Sequence, residues 1–124
     1  MSIKVSQEVT SRLDEVRKGL NAESNAVVLR LSLIIGLKEK LFDQEKVDTN
    51  GFDIREQILF GEDATFFENY FKFVIGNEIN TPEANEINRT AMHYGFLILE
   101  GELKTKKYDE IKFLKTILED YVSW

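Results

Sequence analysis

The stretch "SNAVVLRLSLIIGLKEKLF", residues 24–42, decides the fold because it is a long, nearly unbroken apolar run. Its length and composition predict a buried helix that begins at Ser24 or Asn25 and runs to about Leu41. Arg30 interrupts the apolar run near its middle. Helical spacing places this arginine on the same stripe as Ile34 and other apolar residues, rather than on a polar face.

A guanidinium on an apolar stripe must meet a carboxylate, extend to water along its own alkyl stem, or bind a partner such as phosphate. We predict that Arg30 is structural first and that it pairs with Glu62 or Asp63 at a helix junction or a subunit interface. Full exposure of Arg30, with no carboxylate nearby, would instead make it a contact for a partner.

The composition indicates one folded domain over residues 1–124. The chain is 43% apolar and 11% aromatic, which is enough to form a core. It contains no cysteine, which excludes disulfides, thiolate metal sites and cysteine nucleophiles and is typical of a reducing compartment. No apolar signal segment opens the sequence, and the apolar runs are too short or too charged to span a membrane. We therefore expect a soluble cytoplasmic protein.

The rest of the sequence predicts further helices separated by polar loops. "IKV" (3–5) is β-prone, and Ser6 then caps a helix with the stripe Val9, Leu13, Val16 and Leu20. Asp63 caps an aromatic helix, and Thr81 caps another whose inward face ends at Ile98. A last helix is predicted after "EGELKTKK", over residues 108–121. The predicted fold is all-α: a compact bundle of about five helices with at most a very short N-terminal strand.

The sequence offers no catalytic or cofactor-binding motif. His93 is the only histidine, and no glycine-rich phosphate loop is present. "KVDTNGFDIREQ" (46–57) resembles a calcium loop in its middle, but Lys46 and Gln57 stand where the first and last carboxylates belong. We therefore predict no catalytic residue, no metal site, no cofactor and no enzymatic activity.

The charge is unevenly spread along the chain. The formal net charge is −6, yet residues 1–40 carry seven basic and five acidic residues, against nine and seventeen in the remainder. Such asymmetry is compatible with an N-terminal region that meets a polyanion. It is equally compatible with two ordinary solvated surfaces.

The N-terminal part, residues 1–42, resembles a ribbon-helix-helix module. The segment "IKVSQEVTSRLDEVRKGLNAESNAVVLRLSLIIGL" has a short strand, a helix, a tight turn and a second helix in that order. In that family two strands pair across a dimer and place alternate side chains in the major groove. The resemblance implies that Lys4 and Ser6 face outward and that Ser24 and Asn25 face phosphate.

A second resemblance covers most of the chain, including the C-terminal helical part (52–124). The matches are Val5–Ser6, Leu13, Arg17 and Arg30–Leu31–Ser32–Leu33, then Gly51, Ile54, Leu59, Gly61 and Phe67 in "NGFDIREQILFGEDATFF", and Gly95 in "AMHYGFLIL". Their order and spacing resemble the DndE family, the small accessory proteins of bacterial DNA phosphorothioation (sulfur modification) systems, which act in restriction–modification. Ala91, His93 and Tyr94 stand where that family carries polar residues.

This resemblance implies a non-catalytic helical protein that forms a homotetramer and binds duplex DNA, preferentially nicked, through basic surface residues. Its partners would be a cysteine desulfurase, an iron–sulfur protein and an ATPase. Besides the structural residues Arg30, Gly61 and Gly95, we predict six basic residues as candidate DNA contacts, of which Arg17 matches a basic position of the family: Lys4, Arg12, Arg17, Lys18, Lys38 and Lys40.

Two alternatives remain open. A ribbon-helix-helix regulator or antitoxin would be a dimer with sequence-specific footprints that depend on Lys4. An acidic protein–protein interaction module would never touch DNA, and the excess of carboxylates after residue 40 favours it.

Overall fold

A computed structural model of the chain describes residues 2–76 and 78–105. The described elements are β1 (Ser2–Lys4), α1 (Gln7–Leu20), α2 (Asn25–Lys38), β2 (Asp53–Arg55), α3 (Glu56–Phe60), α4 (Ala64–Ile75) and α5 (Thr81–Thr105). The all-α prediction is confirmed, with the addition of a second short strand. The predicted helix over residues 108–121 lies outside the described residues.

Helix α1 begins at the cap that its sequence predicts. The Ser6 hydroxyl accepts a hydrogen bond from the Val9 N–H and caps the N-terminus. Asn21 ends the helix in the left-handed conformation, at φ 54°. The predicted apolar stripe of α1 is buried in the core.

Helix α2 is the centre of the core, and most of its residues are buried on every side. Ser24 caps it by accepting from the Val27 N–H. It ends at Lys38, which is earlier than the predicted end near Leu41. The reason is backbone conformation, because Lys40 adopts a left-handed φ of 55° and a 3₁₀ turn follows at Leu41–Asp43.

Helices α2 and α5 cross at unusually short range. A Cβ atom at Gly36 would overlap the Ala91 carbonyl, and one at Gly95 would overlap the Ser32 carbonyl. Only glycine fits at both positions, so the two backbones touch with no side chain between them. Gly95, predicted to be structural, thus lies at a close backbone contact together with Gly36.

The two strands form a small antiparallel ribbon within one chain. Ile3 pairs with Ile54, Ser2 with Arg55, and Lys4 with Asp53. Ile3 and Ile54 are buried, so one face of the ribbon is anchored in the core. The ribbon thereby joins the N-terminal part to the C-terminal part.

The C-terminal half departs from the sequence prediction in four respects. Asn80, rather than Thr81, caps α5, because its side chain accepts from the Glu83 N–H at 2.9 Å. Helix α5 runs without a break to Thr105, and Ile98 is 40% exposed instead of facing inward. Asp63 does precede α4, but its side chain makes no capping hydrogen bond.

No single helix among the described residues is long and apolar enough to cross a membrane. Helices α1 and α2 would meet that requirement only if they were counted together, and they meet at a bend of 98°.

Candidate nucleic-acid interface

The C-terminal end of α1 presents the best-placed predicted cations. Lys18 is exposed and Arg17 is partly exposed, both in the last helical turn. Within the described part of the chain, neither has a carboxylate at ion-pair distance. The end of α5 lies beside them, since a Cβ at Gly19 would sit 3.6 Å from Leu103, and this brings the exposed Lys104 to the same region.

Arg12, on the same helix, already forms ion pairs with two carboxylates. Its Nη2 atom lies 3.0 Å from Glu8 Oε1, and its Nε atom lies 3.2 Å from Glu100 Oε2. The Nε–H does not point at that oxygen, so this contact is an ion pair without a hydrogen bond. Glu100 is buried and needs a positive partner, which makes Arg12 a link between α1 and α5. The structure therefore places Arg12 in a structural network rather than on a free basic surface.

Lys38 and Lys40 do not join the cations of α1. They lie at the far end of α2, and the 14 residues of that helix separate its ends by about 20 Å. The backbone of Lys40, two residues after the end of α2, is in the left-handed conformation. The six predicted contacts thus do not form one patch.

Lys4 belongs to a separate basic group that the sequence prediction recognised only in part. It lies on the exposed face of the ribbon with Ser2, Asp53 and Arg55. The Arg89 Nε–H of α5 donates to the Lys4 carbonyl at 2.7 Å. Arg55 and Arg89 were missed because both strand pairing and helix contact are needed to bring them beside Lys4.

The paired strands do not match the dimeric arrangement that the ribbon-helix-helix resemblance implies. β1 already pairs with β2 of its own chain, and Val5 continues the pairing with Gly51 and Phe52. On the opposite edge of β1 the Lys4 carbonyl is occupied by Arg89. A second copy would therefore have to displace intrachain hydrogen bonds to pair with β1.

Two further residues differ from the expected DNA-facing positions. Ser6, expected to face outward, is only 1% exposed. Asn25, at the start of α2, donates from Nδ2 to the Asp14 carboxylate at 3.1 Å. A carboxylate beside this helix N-terminus disfavours the approach of a phosphate.

Ser6, His93 and Glu8 form a Ser–His–carboxylate arrangement. His93 Nδ1 lies 2.7 Å from the Ser6 hydroxyl oxygen, and Nε2 lies 3.6 Å from Glu8 Oε2. Burial lowers the pKa of His93, and the nearby Glu8 carboxylate opposes that effect in part. Because Ser6 is buried and serves as a helix cap, its oxygen is closed to a substrate. The arrangement fastens α1 to α5.

The loop that resembles a calcium site has a structural role. Asp48 Oδ2 accepts hydrogen bonds from the N–H groups of Gln7, at 3.0 Å, and Asn50, at 2.9 Å. These bonds lower the pKa of Asp48. The carboxylate therefore satisfies the start of α1, where it also complements the helix dipole. No cluster of three or more metal-ligating His, Asp or Glu residues occurs among the described residues.

Arg30 has the neighbour that the sequence predicts. Its Nη1 atom lies 3.9 Å from Asp63 Oδ2, at the junction between α3 and α4, and its side chain is 27% exposed. Gly61, in the same junction, has a positive φ of 53°, which supports its predicted structural role. The guanidinium thus lies over the turn between two helices, partly in water.

An apolar groove of about 440 Å³ opens between α3, α4 and the central helices. Leu33, Leu37, Phe60, Phe67 and Phe71 form its apolar lining. Charged side chains on its rim include Glu68 and Lys72, which pair with each other at 3.2 Å. Among the described residues that line it, the groove has no cluster of cations for a nucleic acid.

Comparison with protein-family models, with curated proteins and with solved structures finds no match.

Proposed function

We propose that this protein is a non-catalytic DNA-binding accessory subunit of the phosphorothioation type, which binds duplex DNA, preferentially at a nick. The proposal follows the resemblance to the DndE family. Its partners would be the desulfurase, the iron–sulfur protein and the ATPase of such a system, and the resemblance implies a tetramer.

One structural observation carries the proposal: Arg17 and Lys18 lack carboxylate partners within the described residues. In an acidic chain, cations without partners are the ones available to phosphate. The nearby acidic side chain of Glu100 is neutralised by Arg12 and lies 3.9 Å from Lys104. The end of α1 is therefore a place where a DNA backbone meets cations.

The test is a titration of nicked and intact duplexes of the same sequence, followed by fluorescence anisotropy across a series of salt concentrations. We expect tighter binding to the nicked duplex and affinity that falls as salt rises. The double variant Arg17→Ala/Lys18→Ala should bind about tenfold or more weakly. The slope of log affinity against log salt concentration should also become shallower, by the amount that about two phosphate contacts contribute.

A matched control is Lys46→Ala/Lys72→Ala, which removes the same charge from lysines that are already paired with Glu86 and Glu68. It should leave affinity nearly unchanged. Unfolding curves of both variants are needed because Arg17 and Lys18 also interact favourably with the helix C-terminus. Absence of salt-sensitive binding by the unaltered protein would refute the proposal, as would equal losses in the two double variants.

The alternatives predict other outcomes. A ribbon-helix-helix regulator would bind as a dimer and give sequence-specific footprints. An acidic interaction module would bind neither duplex at any salt concentration.

A further inference from the structure

We propose that residues 108–121 form an amphipathic helix that folds back along α5 and binds in the apolar groove of the same chain. The groove is the one between α3, α4 and the central helices. Its apolar lining is formed by Leu33, Leu37, Phe60, Phe67 and Phe71. The proposal makes this groove a binding site for an amphipathic helix, and it is independent of the proposed function.

The groove has the size and chemistry that accept one side of a helix. Its volume is about 440 Å³. Leu33 and Leu37 of α2 are buried where they line it, and the half-buried rings of Phe60 and Phe71 add aromatic surface from α3 and α4. An amphipathic helix binds in such a groove through apolar side chains that recur every three or four residues.

The segment that follows α5 has this spacing in its sequence. Residues 106–124, "KKYDEIKFLKTILEDYVSW", lie outside the described part of the chain. Apolar residues recur in the segment at intervals of three or four, which places them on one side of a predicted helix. They are Tyr108, Ile111, Leu114, Leu118 and Tyr121.

The charges that border the two surfaces are complementary. Glu56 and Glu68 line the groove, and Glu68 already pairs with Lys72 at 3.2 Å. In the predicted helix, Lys112 and Lys115 border the apolar side. Attraction between these lysines and the carboxylates of the groove favours docking by a small amount, because such pairs are screened by water.

The end of α5 is close enough for the segment to reach the groove. Gly36 lies against Ala91 and Ser32 against Gly95, so α2 and α5 run antiparallel. Asn88 lines the groove and precedes the end of α5 by about 26 Å along the helix axis. A helix over residues 108–121 would be about 21 Å long. Running back along α5, it would bring its last turns to the groove.

Paramagnetic broadening in the full-length chain tests the proposal. The chain has no cysteine of its own, so a nitroxide can be attached at Lys72→Cys alone, on a side chain that lines the groove. We expect the methyl signals of Ile111, Leu114 and Leu118 to lose most of their intensity, because the unpaired electron relaxes nearby protons. Retention of all three signals at full intensity would overturn the proposal.

Two lysine variants of the segment form a matched pair. Leu118→Lys places a charge on the apolar side of the predicted helix, whereas Thr116→Lys places the same charge on the opposite side. With the nitroxide at Lys72→Cys, the signals of Ile111 and Leu114 should recover in Leu118→Lys and stay broadened in Thr116→Lys. Equal broadening in the two variants would contradict the proposal.

A mixed sample identifies which copy of the chain supplies the helix. Isotope-labelled chain without nitroxide is refolded together with unlabelled chain that carries the nitroxide at Lys72→Cys. We expect the methyl signals of the segment to keep most of their intensity. A loss as large as that seen when both labels are in one chain would overturn the proposal in favour of docking into a second copy.

Binding of an apolar dye gives an independent readout. A dye that fluoresces on exposed apolar surface should be about threefold brighter with Leu118→Lys than with the unaltered protein, whereas Thr116→Lys should leave its fluorescence unchanged. Equal fluorescence with all three proteins would contradict the proposal. Because none of these measurements uses DNA, their failure leaves the proposed function standing, and absence of DNA binding leaves the docking proposal standing.

Discussion

Arg30 is a charged residue within an apolar helix, and its environment explains how the fold accommodates it. Its Nε atom lies 3.5 Å from the Ala26 carbonyl oxygen, at the outer limit of a hydrogen bond. Its Nη1 atom approaches the Asp63 carboxylate. The alkyl stem covers apolar surface while the guanidinium reaches the partly hydrated junction at Gly61. Arg30 is therefore tolerated because its end is near water, not because a strong buried ion pair holds it.

We expect Asp63→Asn to change the free energy of unfolding by less than about 1 kcal/mol. The two charges are 3.9 Å apart and the Asp63 side chain is 59% exposed, so water screens their attraction. Chemical denaturation of the two proteins measures the difference. Arg30→Met, which keeps most of the stem, is the companion variant and should be similarly mild. A loss above about 2 kcal/mol for Asp63→Asn would mean that the pair is much more strongly coupled than its distance indicates.

His93 is the residue whose role depends most directly on pH. It accepts from or donates to the Ser6 hydroxyl according to its tautomer, and it lies beside Glu8 at the contact between α1 and α5. Its burial disfavours the charged imidazolium, so its pKa in the folded protein is below the usual value of 6.5.

The lowered pKa predicts that stability falls in mild acid. As the pH drops below about 6.5, the unfolded chain binds a proton at His93 before the folded chain does, and unfolding becomes more favourable until the pH passes the folded pKa. Urea midpoints at several pH values between 5 and 7.5 measure the effect. Because this is the only histidine, His93→Gln should remove most of the dependence in that range. An imidazole pKa above 6.5 by NMR titration would contradict the prediction.

At the scale of elements, the crossing of α2 and α5 determines the arrangement of the core. The two helices approach until a carbonyl of one lies against a glycine of the other, at Gly36 and Gly95. Helical spacing allows either Tyr94 or Gly95 on the inward face of α5, and the family resemblance singles out Gly95. Gly36 resembles any helical glycine in sequence, and its importance follows solely from which residue packs against it.

We expect Gly36→Ala to lower the free energy of unfolding by about 2 kcal/mol or more, because the added methyl would overlap the Ala91 carbonyl and force the helices apart. Gly101→Ala on α5 is the matched control, since a Cβ there meets no atom of the described residues within 4 Å. It should stabilise the protein by up to about 1 kcal/mol through helix propensity. Chemical denaturation distinguishes the two, and equal stability changes would show that the close crossing is not a constraint.

The ribbon illustrates what local sequence cannot reveal. "IKV" is β-prone in sequence, whereas Asp53–Arg55 lies within the part of the chain, residues 52–124, that is predicted to be helical. Its extended conformation comes from pairing with β1, almost 50 residues away in sequence, and from burial of Ile54 beside Ile3. Strand formation depends on such a partner, whereas a helix satisfies its own backbone.

At the scale of the whole molecule, an acidic protein can approach DNA only where its basic side chains are not paired with carboxylates. Among the described residues, cations without a carboxylate at ion-pair distance lie at the end of α1, on the ribbon and at Lys40, whereas Arg12 is paired with Glu8 and Glu100. Assembly of several copies would multiply these contacts on one DNA.

We accordingly expect the protein to be a tetramer in solution, as the resemblance implies, with a mass close to four times that of one chain. Light scattering coupled to gel filtration measures it, and dilution over two orders of magnitude tests whether the assembly persists. A dimer would instead favour the regulator hypothesis, and a monomer would contradict both.

The sequence by itself determined the helices whose signals are local: the capped start and apolar stripe of α1, the buried α2, and the aromatic α4. Each depends on periodicity and on residues within a few positions of the helix end. Only the tertiary structure decided the helix crossing at Gly36, the pairing of β1 with β2, and which cations have carboxylate partners. These features depend on residues distant in sequence, because packing distance and charge neutralisation are properties of neighbours in space.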